Sequence, residues 1–124
     1  MREIEKKTKK LNNIIDALSL HEDPSSIAML EEIGTNSSID VVREMTSRAL
    51  VRKNMEDSLK VVISNKGKGI NDLSTVVAMS TINELLSLEN KDMAMKILSD
   101  TVEGEVEDDV KDNARSVKAL MALS

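Results

Sequence analysis

Ser38-Ile39-Asp40-Val41-Val42-Arg43-Glu44-Met45-Thr46 decides how this chain is read, because its pattern returns twice. It can be laid over Ile70-Asn71-Asp72-Leu73-Ser74-Thr75-Val76-Val77-Ala78, 32 residues on, and from Asp40 over Asp108-Asp109-Val110-Lys111-Asp112-Asn113-Ala114 after a further 36. In each copy an Asp precedes Arg43, Thr75 or Lys111 by three, and a small residue, Thr46, Ala78 or Ala114, follows by three. Self-similarity at ~33–47 residues marks helical-repeat arrays, in which one unit buries its apolar stripe only against the next.

The flanking segments complete the unit. Residues 2–20 place Ile4, Leu11, Ile14, Ile15 and Leu18 on one helical face. Asp23 as N-cap and Pro24 at the first helical position start a short helix ending before Gly34, with Ile27, Leu30 and Ile33 inward. Ser38 or Asp40 caps a helix to about Asn54, with Val42, Met45, Ala49 and Leu50 inward. A second short helix at 56–64 buries Leu59, Val62 and Ile63, and Asn65-Lys66-Gly67-Lys68-Gly69 follows as the turn expected to be most mobile. From Asp72 to about Leu88 the pattern is apolar nearly all round, which predicts a central helix contacted on several sides. Asp92 caps a third short helix through Val102, ended by Gly104. Asp108 or Asp109 caps a last one using Val110, Ala114, Val117, Leu120 and Met121.

The expectation is one all-α domain of about seven helices: an N-terminal helix at 1–21 and helix pairs at 22–54, 55–90 and 91–124. A compact helical bundle is the alternative, since short connections favour antiparallel neighbours in both. Asp40-Val41-Val42-Arg43 with Ala49-Leu50 resembles the second helix of a HEAT repeat, in which Asp, a Val-Arg pair, Ala and Ala-Leu recur in that order. The resemblance, over about residues 23–123, is to HEAT or armadillo-like proteins and is strongest in the first copy. It implies a right-handed α-α superhelix whose second helices line an inner, ligand-facing surface. It also implies that the equivalents of Asp40 and Arg43 brace adjacent repeats.

Composition excludes several functions. The 124 residues contain no aromatic side chain, so base stacking on rings and aromatic cages for methylated ligands are impossible within this chain. No cysteine is present, which removes disulfides, thiolate metal sites and thiol catalysis. Leu, Ile, Val, Ala and eight Met must fill the core. A net charge of −5 disfavours generic attraction to nucleic acid or an anionic membrane. The charge is uneven: residues 41–60 carry five basic and three acidic groups, and 101–124 carry three and six. No apolar run is long enough for a membrane span, and a cytoplasmic protein is expected.

Individual motifs read structurally first. His21 stands at a helix end without a Cys partner or a Ser-centred motif. The Asn65–Gly69 turn lacks the spacing of a nucleotide-binding loop. The acidic run 103–109 lacks the ligand pattern of an EF-hand and suits the start of the last helix. Arginines make bidentate bonds to carboxylate or phosphate, so Arg43, Arg48 and Arg52, with Lys53, form the candidate recognition set. Ser47, Thr75 and Lys111 join it on the second-helix surface.

The leading functional expectation is a non-enzymatic protein-interaction or scaffold module without a cofactor or metal. The alternatives are a structural homodimer through the terminal helices, and a small regulatory or nucleic-acid-associated subunit using the basic second-helix face.

Overall fold

A computed structural model of the chain describes residues 2–21, 23–37, 39–65, 68–70 and 73–124, with side chains described outside 2–8, 24, 35 and 36. Among these residues the protein is all-helical. Seven helices follow one another: α1 (Arg2–Leu20), α2 (Pro24–Asn36), α3 (Asp40–Lys53), α4 (Glu56–Ser64), α5 (Thr75–Leu86), α6 (Asp92–Glu103) and α7 (Asp108–Leu123).

Their neighbours define two layers. One layer runs α1, α3, α5, α7, and the other runs α2, α4, α6, each helix touching the next in its own layer. Across the layers α2 and α4 both touch α3 and α6 lies on α7, while within the layers α5 rests on α3 and α4 on α6. A single apolar core joins them, with Ile15, Leu30, Leu59, Leu85, Leu98 and Met121 fully buried. Among the described residues no helix is long and apolar enough to cross a membrane.

Local chemistry sets most boundaries. Asp23 takes an extended conformation and accepts the Ser25 N–H at 2.9 Å, capping α2 as its sequence predicts. This hydrogen bond to the Ser25 backbone holds the Asp23 carboxyl below its ordinary pKa. Asn54 and Asn65 end α3 and α4 in the left-handed region, at φ 49° and 45°, which Asn tolerates better than most side chains. Gly104 ends α6 as expected.

Several boundaries differ from the sequence reading. Helix α2 runs through Gly34 to Asn36, because this glycine is a packing residue: a Cβ there would stand 2.6 Å from Thr46 Oγ1 on α3. Ile39, not Asp40, is the N-cap of α3, and the side chain of Asn90, not Asp92, accepts a backbone N–H at the start of α6. Glu107 is the N-cap of α7, with Asp108 and Asp109 in its first turn. Ser38, Asp72, Lys66 and Gly67 lie outside the described residues. The described α5 begins at Thr75, behind the Ser74 cap. Helix α5 is not enclosed, since Val76 and Met79 face outward, and Leu120 of α7 is exposed as well.

The burial pattern fixes the repeat. In the α2/α4/α6 layer Ser26, Ser58 and Ala94 are equivalent, as are Leu30, Val62 and Leu98, at the offsets of 32 and 36 read from the sequence. In the other layer the buried positions are Val42, Val77 and Val110, then Thr46, Thr81 and Ala114, at 35 and 33. The connection 65–74 delays α5 by three residues and the shorter one before α7 recovers them. Thr46 and Thr81 confirm the equivalence, since each donates its buried hydroxyl to the carbonyl four residues back, Val42 O at 3.2 Å and Val77 O at 2.8 Å.

Candidate functional site

The same register that buries Val42, Val77 and Val110 turns the preceding position outward in every copy. On α3 the outward stripe is Val41, Glu44, Arg48 and Arg52; on α5 it is Val76, Met79, Asn83 and Ser87; on α7 it is Asp109, Asp112, Ser116 and Leu120. Residues three and four apart share a helix face, so each set is one stripe, and the three neighbouring helices place the stripes side by side. Val41 is 51% exposed, Val76 55%, Met79 60% and Leu120 47%. This is an exposed face with Val76 and Met79 then Asn83 and Ser87 along its middle, Glu44, Arg48 and Arg52 on the α3 side, and Asp109 and Asp112 on the α7 side.

Two bridges run from the carboxyl end of α3, one to α5 and one to the connection that follows it. Arg52 Nη2 approaches Glu84 Oε1 at 3.4 Å, and Asn54 Nδ2 donates to Asn90 O at 2.9 Å. At the other flank of α3, Lys53 Nζ donates to His21 O at 2.6 Å, tying α3 to the end of α1. These contacts, rather than one from Arg43, join successive repeats. Among the described residues Asn54 Oδ1 is buried without a hydrogen-bond partner.

The candidate residues from the sequence therefore divide. Arg48 and Arg52 lie on the exposed face, and among the described residues Arg48 makes no hydrogen bond or ion pair. Lys53 is engaged with His21. Arg43 and Ser47 turn away from the face toward a cavity of about 310 Å³ between α2, α3, α4 and α5, floored by Leu30, Leu50, Val62 and Val77. Arg43 Nε donates to Ser37 O at 2.8 Å and so secures its own α2–α3 turn. Thr75, matched to Arg43 in the sequence, opens α5 as an exposed residue, and the observed register puts Ala78 in that place. Lys111, half-buried on α7, is the true counterpart of Arg43.

A second groove of about 290 Å³ lies between α1 and α2, lined by Ile14, Ala17, Leu18, His21, Ser26 and Met29 among others. Ile14 and Met29 are about half exposed there, at 47% and 50%. His21 borders this groove while its Nδ1 lies 3.4 Å from the Asp23 N–H, so it belongs to the α1–α2 turn.

The sequence does not single out Val41, Val76, Asp112 or Leu120 for recognition, and it reads Met79 with the other methionines as core filling rather than as part of a binding groove. The signal was present: Val41, Val76 and Leu120 each stand one position before a buried residue, and the offsets of 35 and 33 align the three stripes. Among the described residues no group of three or more His, Asp or Glu is placed to hold a metal ion. No family model, curated protein or solved structure matches the chain.

Proposed function

We propose that this chain is a non-enzymatic protein-interaction module of HEAT-like type, whose recognition surface is the outward face of α3, α5 and α7. The exposure of Val41, Val76 and Met79 on adjacent helices carries this reading. Monomeric proteins keep contiguous apolar patches small, and a larger patch rimmed by polar residues marks an interaction site. Arg48 at the edge of the patch supplies a cation suited to a partner carboxylate. A cytoplasmic setting belongs to the same reading.

A nucleic-acid-associated role draws less support, because Asp109 and Asp112 share the face with the arginines and Arg52 already faces Glu84. The structural homodimer through the terminal helices is favoured by one feature, the half-exposed Ile14 and Met29 on the α1–α2 groove.

Photo-crosslinking in an extract tests the proposal. With the crosslinker at Asn83, in the middle of the face, protein adducts are expected; at Lys96, exposed on the α6 side, they are not. Equal adducts from both positions, or adducts from Lys96 alone, would overturn it.

A further inference from the structure

We infer that the α3/α5/α7 face pairs with a second copy of itself about a two-fold axis through the middle of α5. This names the partner of the face described above and so rests on that reading.

The three stripes form four rows: Val41, Val76, Asp109; then Glu44, Met79, Asp112; then Arg48, Asn83, Ser116; then Arg52, Ser87, Leu120. Helices α3 and α5 run the same way, since Arg52 near the end of α3 meets Glu84 near the end of α5, and Asn54 just past α3 meets Asn90 just past α5. Helix α6 turns back from α5 across the short connection 87–91, and α7 returns across 104–107 to lie on both α6 and α5. All three stripes are thus read in one direction.

A two-fold axis normal to this face exchanges α3 with the partner's α7 and reverses the rows. In an isologous contact, if one residue meets another, the second also meets the first in the other copy. Arg48 then falls opposite Asp112 of the second copy, and Arg52 opposite Asp109. Val41 falls opposite Leu120, and Met79 and Asn83 lie beside the axis. Both arginines thus meet carboxylates and Val41 meets Leu120, while Glu44 falls opposite the Ser116 hydroxyl and Val76 opposite Ser87, so that no like charges are set directly against each other. Opposed charges of this kind set register and partner choice more than raw affinity.

The existing ion pairs allow it. Asp112 accepts from Arg115 Nη1 at 2.8 Å, with both side chains more than half exposed, and Arg52 is 64% exposed beside Glu84. Both carboxylate and guanidinium therefore retain outward edges. Three helices about 18 Å long at ~9 Å spacing present roughly 500 Å² per copy, toward the small end for specific interfaces, so the dimer should depend on concentration.

The test is light scattering on the whole chain over a concentration series, with circular dichroism on every variant. The unaltered chain should pass from monomer to dimer. Arg48→Glu and Asp112→Arg should each remain monomeric, because each places like charges opposite each other twice. An equimolar mixture of the two variants should dimerise again, since both cross-contacts are then complementary. A variant that merely misfolded would not be rescued by mixing. A monomer at all concentrations, or a dimer that neither variant disturbs, would overturn the inference. Crosslinks from Asn83 to other proteins alone would leave the recognition face standing without the self-pairing.

Discussion

Helices α6 and α7 lie closely against each other, whereas α4 and α5, the equivalent pair one repeat earlier, part around a cavity of about 310 Å³. The connection between α6 and α7 is residues 104–107, and that between α4 and α5 is 65–74. The tight seam has Ala94 and Ala114 buried on its two helices. The α2/α3 seam achieves the same closeness with Gly34 against Thr46. The loose seam offers Val61, Val62 and Val77 instead, and α5 settles on α3. Small residues and a short turn close a helix pair; branched residues and a long connection leave it open.

The largest effect should come from emptying the closed region. Leu98→Ala removes a fully buried side chain of α6 and should cost about 2–5 kcal/mol in denaturant unfolding, because the surroundings cannot collapse. Leu73→Ala, on the cavity wall and half-buried, should cost only about 1–2 kcal/mol, since its methylenes already face open volume. Equal losses would remove the contrast between the seams.

Adding atoms should show the reverse asymmetry. Gly34→Ala gains ~1 kcal/mol in helix propensity but drives a methyl group into Thr46 Oγ1, and overpacking of ~1–3 kcal/mol outweighs it. A net loss of about 1 kcal/mol is expected, and Gly34→Ala combined with Thr46→Ala should recover it in a double-mutant cycle. Val61→Ile extends into the cavity at the loose seam and should stabilise by about 0.5 kcal/mol, read as a small rise in Tm. A Val61→Ile chain less stable than the parent would show that the volume is not available to a side chain.

The sequence made the seven helices and most buried residues legible, because a 3.6-residue period survives in most of the elements. Leu59, Val62 and Ile63 on α4, or Val110, Ala114, Val117 and Met121 on α7, are buried as their spacing demands. The face was harder to see. Matching Arg43 to Thr75 rested on the offset of 32, which holds for α2 and α4 but not for α3 and α5. An apolar run such as Val76-Val77-Ala78-Met79 does not state which of its members face water; that depends on α5 lying on α3 and not on α4. Gly34 likewise reads as a helix end until its neighbour Thr46 is known. Arg43 matched the HEAT-like pattern by residue type, while its partner, the Ser37 carbonyl, is a backbone group that no side-chain pattern reveals.

The smallest expected effect concerns the one repeat whose helices are splayed. At the start of α4 the Lys60 ammonium donates to Glu56 at 3.0 Å, holding the Glu56 carboxyl below its usual pKa while Glu56 holds Lys60 above its own. The Glu56 contribution is present above the ordinary carboxylate range and is lost as pH falls through the lowered value. The Lys60 contribution is present below the ordinary lysine pKa and is lost as pH rises through the raised one. Both groups are exposed, so Lys60→Gln should flatten the acid limb of the stability profile only slightly. A large change there would mean that the α4 end carries more of the array's stability than its exposure allows.

The register of α3, α5 and α7 underlies both the seam contrast and the recognition face, and solvent paramagnetic relaxation of methyl groups measures it directly. In dilute solution the methyls of Val41, Val76 and Met79 should relax strongly, while those of Val42, Val77 and Val110 remain shielded. Shielding of Val76 and Met79 equal to that of Val77 would contradict the 35-residue register and the face built on it.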